Sequence, residues 1–75
     1  NNKLFNAAKI KYEAKAEEAR AMLDMLFTKT VMVGEHTDIL KEVDKWTIML
    51  AEALDNIDAL DDFAMHRKEE GSAAP

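Results

Sequence analysis

Val31-Met32-Val33-Gly34-Glu35-His36-Thr37-Asp38-Ile39-Leu40 is the stretch whose reading decides the fold. Gly34 is the first glycine of the chain, and no proline or further glycine follows until Gly71. A glycine just past a helical pattern is well placed to end the helix, because it adopts a left-handed turn without a Cβ clash. Thr37 or Asp38 then offers the short polar side chain that caps the first free amides of a new helix. The stretch reads as a turn over 34–37 between two helices, and so short a connection sends the second helix back along the first.

Working outward, the first helix is expected over about residues 3–33. Asn2 is its candidate N-cap, and Ala7, Ala8, Ala14, Ala16, Ala19 and Ala21 favour helix strongly. The β-branched cluster Thr28, Thr30, Val31 and Val33 makes a strand conceivable there. The glycine that follows it argues for the last turns of a helix instead. The second helix is expected over about 38–68 and is ended by Gly71, leaving 71–75 as a short flexible tail. The expected fold is all-α: an antiparallel two-helix hairpin spanning residues 1–70, built as one domain.

Helix faces carry the next inference. The second helix has one wide apolar face, Ile39, Leu40, Val43, Trp46, Leu50, Ala53, Leu54, Ile57, Leu60 and Ala64, with Met49 at its margin. The first helix has two stripes. One runs Phe5, Ala8, Tyr12, Ala16, Ala19, Met22, Leu23, Leu26, Thr30 and Val33; the other runs Ala7, Ile10, Ala14, Ala21, Met25 and Met32 on the far side. A single neighbouring helix covers an apolar stripe of about 100°. One stripe can pack on the second helix, and the other needs a different partner. Between Met22 and Phe27 only Asp24 is polar, so that turn is apolar around more than half its girth. The hairpin is therefore expected to self-associate, most simply as a dimer forming a four-helix bundle. Ala7, Ile10, Ala14, Ala21, Met25 and Met32, with Trp46 and Met49, are the candidate interface.

The formal net charge of −5 hides an asymmetry. Residues 1–33 hold six basic and four acidic side chains, a net of +2, whereas residues 34–75 hold four and eleven, a net of −7. Nucleic-acid binding runs on clustered Lys and Arg, so an acidic second half argues against it. No apolar run approaches the ~20 residues that span a bilayer, and no signal peptide is recognisable. Residue 1 is Asn rather than Met, so a preceding segment is left open. The expected location is cytoplasmic: a host cytoplasm, or a virion for a viral protein. With no cysteine, disulfides and thiolate metal sites are excluded.

The acidic run Glu52, Asp55, Asp58, Asp61 and Asp62 has two readings. It is a docking face for a basic partner, or a mimic of nucleic acid, with Glu52, Asp55, Asp58 and Asp62 as its outward members. Alternatively it meets Lys9, Lys11 and Lys15 across the hairpin, where the register sets Lys15 level with Asp55, Lys11 with Asp58 and Lys9 with Asp61. Asp61 stands apart because it falls within the apolar arc.

Catalytic and metal chemistry find little footing. Ser72 is the lone serine, and Thr28, Thr30, Thr37 and Thr47 have no histidine at helical spacing to act as base. His36 beside Glu35 and Asp38 reads as a turn histidine near capping residues, with a metal site or a pH-sensitive hinge as the sharper alternatives. Asp62, His66 and Glu70 share a helix face at ligand-compatible spacing, but no second cluster completes a site. Met22, Met25, Met32, Met49 and Met65 fit a helical core better than an adaptable binding surface. No enzyme activity, cofactor or bound metal is expected.

From about Ile10 to Leu60 the chain resembles small helical proteins encoded by tailed phages, marine ones especially. The residues behind this are Gly34-Glu35-His36-Thr37-Asp38-Ile39, then Val43-Asp44-Lys45 and Leu50-Ala51-Glu52-Ala53, with Thr37 where such a turn is expected to carry Pro. The resemblance implies a phage origin and a helical hairpin. It carries no assigned activity and no functional residues. The function expected from all this is non-enzymatic: a small structural or accessory protein working through protein–protein contacts. The alternative is an acidic regulator or inhibitor that binds a host protein through the Glu52–Asp62 face.

Overall fold

Long runs of good helix formers, uninterrupted by proline, become two helices in the computed structural model. They are α1, Lys3–Met32, and α2, Thr37–Ala73. The structure describes residues 3–32 and 37–73, with side chains over 3–28 and 38–67. The Asn2 cap, the Gly34 turn with His36, the side chains of Met32, Thr37 and Glu70, and residues 74–75 lie outside the described residues. Within them every residue is helical, and α1 packs against α2 as an antiparallel hairpin. The β-branched cluster after Thr28 continues as helix to Met32. Thr28 donates its hydroxyl to the Asp24 carbonyl at 2.9 Å, so the side chain joins the helix's own hydrogen bonding.

One boundary differs from expectation. α2 runs through Gly71 to Ala73 rather than stopping near residue 68. A glycine inside a helix costs only about 1 kcal/mol relative to alanine, so it ends a helix only where something else favours a turn. Nothing in Ser72-Ala73 does.

The core lies in the seam between the helices. Ala16, Ala19 and Leu26 of α1 and Trp46 and Ala53 of α2 are buried. Around Ala19, Leu26 and Trp46 pack Met22, Leu23, Val43, Met49 and Leu50. The buried bulky side chains, Leu26 and Trp46, thus lie in the half nearer the connection, while farther out the buried residues are Ala16 and Ala53, beside half-buried Phe5, Tyr12, Ile57 and Leu60. The first stripe of α1 meets α2 as its spacing predicts. On α2 the face is narrower than the sequence suggests: Leu40 and Leu54 stand out in solvent. The molecule is thin, 65 × 18 × 13 Å, with a radius of gyration of 17.7 Å; a compact chain of this length has about 11 Å.

Candidate interaction surface

Helical periodicity sets which groups α1 turns away from α2. Ala7, Ile10, Ala14, Ala21 and Met25 are all exposed, Ile10 at 63% and Met25 at 41%. At about 100° per residue they centre roughly 145° round the helix from the buried stripe. They form an apolar band with no neighbour among the described residues. Leu4 adjoins it and is 84% exposed. Lys11 and Glu18 lie on the same side, and neither has an ionic partner among the described residues.

The two α2 members of the candidate interface sit elsewhere. Trp46, 8% exposed, belongs to the hairpin's own core, and Met49 packs against that core. The indole N–H of Trp46 donates to the Glu42 carboxylate at 3.3 Å, and the Lys45 ammonium lies 4.9 Å from the ring centroid. Trp46 is thus occupied on its polar as well as its apolar side.

The acidic run splits. Asp61 accepts an ion pair from Lys9 at 3.0 Å, at the level the register predicts, which accounts for a carboxylate inside the apolar arc. The rest of the expected ladder does not form. Lys11 and Lys15 are exposed, as are Asp55 and Asp58, with no ion pair between them. The reason is angular. Lys11 is about 200° and Lys15 about 240° round the helix from Lys9, so equal height does not give a shared face. Glu52, Asp55, Asp58 and Asp62 therefore point outward along α2. Asp62 is near His66, whose Nδ1 lies 2.9 Å from the Asp62 carbonyl oxygen and 3.4 Å from its carboxylate.

A scan against protein-family models found no match, and searches of curated proteins and of solved structures found none either.

Beside the seam lies an open cleft of about 430 Å³, floored by Ala16, Leu54 and Ile57 and walled by Glu13, Glu17 and Arg20. Arg20 is engaged by Glu17 at 3.1 Å, which leaves Glu13 as the one wall charge without an ion pair among the described residues. Among the described residues no group of three or more His, Asp or Glu side chains converges as metal ligands. No described helix is long and apolar enough to cross a membrane. Sequence reasoning passed over Ile48 and Phe63, large apolar residues exposed on the polar side of α2. Their wheel positions marked them as outliers, but each is isolated, and isolated exposed apolar residues are ordinary. Arg67 lies 6.0 Å from the Phe63 ring centroid and partly shields it.

Proposed function

We propose that this chain is a small helical assembly protein that acts by associating with copies of itself, without catalysis. The observation that carries the reading is the apolar band of α1, with Ile10 and Met25 exposed on the side away from α2. Area supports it. The chain exposes 6011 Å², whereas a globule of 8.5 kDa exposes about 4,700 Å². Two copies condensed into one compact body would expose about 7,700 Å². Up to about 4,300 Å² is then available to be covered, within the ~2,000–5,000 Å² typical of obligate homodimers. A dimer of four helices is the simplest such assembly, and the phage resemblance makes a virus particle or infected cell its first candidate setting. Replacing Ile10 and Met25 with glutamate is expected to abolish association, measured by analytical ultracentrifugation, and to lower helicity with it. A wild-type chain that sediments as a well-folded monomer at micromolar concentration would overturn the reading.

The outward acidic face favours a second reading, an acidic regulator docking on a basic host protein through Glu52, Asp55, Asp58 and Asp62. Changing these four to Gln and Asn should remove a host-protein complex while leaving self-association intact. Unchanged binding by that variant would exclude the face.

A further inference from the structure

The outer face of α1 also carries information about orientation. Lys11 and Glu18 are seven residues apart on that face, flanked at steps of three and four by Ala7, Ala14 and Ala21. Side chains at such steps follow one seam along a helix. Lys11 and Glu18 are both exposed and without ionic partners among the described residues. In a parallel, in-register two-fold pair of α1 helices, the two copies of this seam fall on opposite sides of the contact, so Lys11 and Glu18 meet no partner across it. In an antiparallel pair with its two-fold axis near Ala14, Lys11 instead comes level with the partner's Glu18, in two symmetric copies.

The same register matches the apolar groups. It sets Ala7 level with the partner's Ala21, Ala14 with its own counterpart, and exposed Leu4 with the partner's Met25. Small residues in the middle let the axes approach toward the close end of the ~8–10 Å range, while the larger side chains close the two ends. We infer that a second copy of this chain occupies the outer face of α1 in an antiparallel two-fold pairing, registered by Lys11 against Glu18. The inference rests on the self-association reading and adds orientation and register to it. Because the band lies roughly 145° from the buried stripe, the four helices fall nearly in line, α2–α1–α1–α2. The product is an open layer whose two outer edges carry the Glu52–Asp62 acidic faces, instead of a closed square bundle.

The chain has no cysteine, which makes disulfide trapping in the full chain clean, and exposed alanines tolerate the change. A14C, near the axis, should cross-link to itself in a glutathione redox buffer. A mixture of A7C and A21C chains should give the mixed disulfide, while A7C alone should not, because the two Ala7 positions would be about 21 Å apart along the axis. K11E and E18K should each weaken dimerisation on the order of ten-fold, and the K11E/E18K double variant should restore it. Self-cross-linking of A7C, or single variants as tight as wild type in a chain that still dimerises, would overturn the antiparallel register and leave self-association standing. A monomeric wild type in which A14C does not cross-link would overturn both.

Discussion

At the scale of single residues, small size and partnered charge decide the seam. Ala19 is fully buried, 0% exposed, so there is no space beside it. A19L is expected to destabilise the hairpin by about 1–3 kcal/mol through overpacking, despite leucine's greater hydrophobicity. Chemical denaturation followed by circular dichroism would show it. Lys9–Asp61 is a different kind of contact, partly solvated on both sides, and such a pair contributes only about 0–1 kcal/mol, less in high salt. K9E should lower the denaturation midpoint slightly and K9E/D61K should recover it, while K15E should leave the seam unaffected. An equal loss of hairpin stability from K15E would mean that a ladder exists after all. The pairing of Lys9 with Asp61 was legible in the sequence because register follows from the position of the turn. The failure of Lys11 and Lys15 to pair was legible too, but only once angle was considered along with height. That Trp46 belongs to the hairpin's own core rather than to its outer surface depended on which side of a broad arc meets α1, and periodicity alone leaves that margin undetermined.

At the scale of the element, α1 showed its structure plainly: alanines for propensity, one apolar stripe for the contact with α2 and a second left exposed, and no residue that breaks a helix. The exposure of Ile10 and the burial of Ala16 and Ala19 follow from that pattern. The end of α2 was harder to read because Gly71 serves equally as a stop and as a weak helical residue. No glycine among the described residues has a positive φ, and Gly71 lies within the helix. Alanine at that site should therefore stabilise the last turn by about 0.5–1 kcal/mol, raising amide protection there about two- to five-fold. Hydrogen exchange across residues 68–73 measures this. A loss of protection in G71A would indicate a left-handed cap, where a Cβ is penalised.

At the scale of the whole molecule, the described residues of this thin hairpin leave nine large apolar side chains in solvent, and mass action tests whether association covers them. The thermal midpoint is expected to rise with protein concentration, as it does when folding and association are linked. A midpoint constant over a hundred-fold dilution would instead describe an independent monomer. The uneven seam has a mechanical side as well. Lys3 and Ala73 stand at the same end of the antiparallel hairpin, where the seam is only half-buried around Phe5 and the partly solvated Lys9–Asp61 pair, while buried Leu26 and Trp46 lie toward the other end. A load applied through the two ends would not shear the helices past each other. It would peel them apart turn by turn, yielding early at low force and then meeting resistance at Leu26 and Trp46. A tether fixed to those ends would thus respond as a soft spring backed by a hard stop.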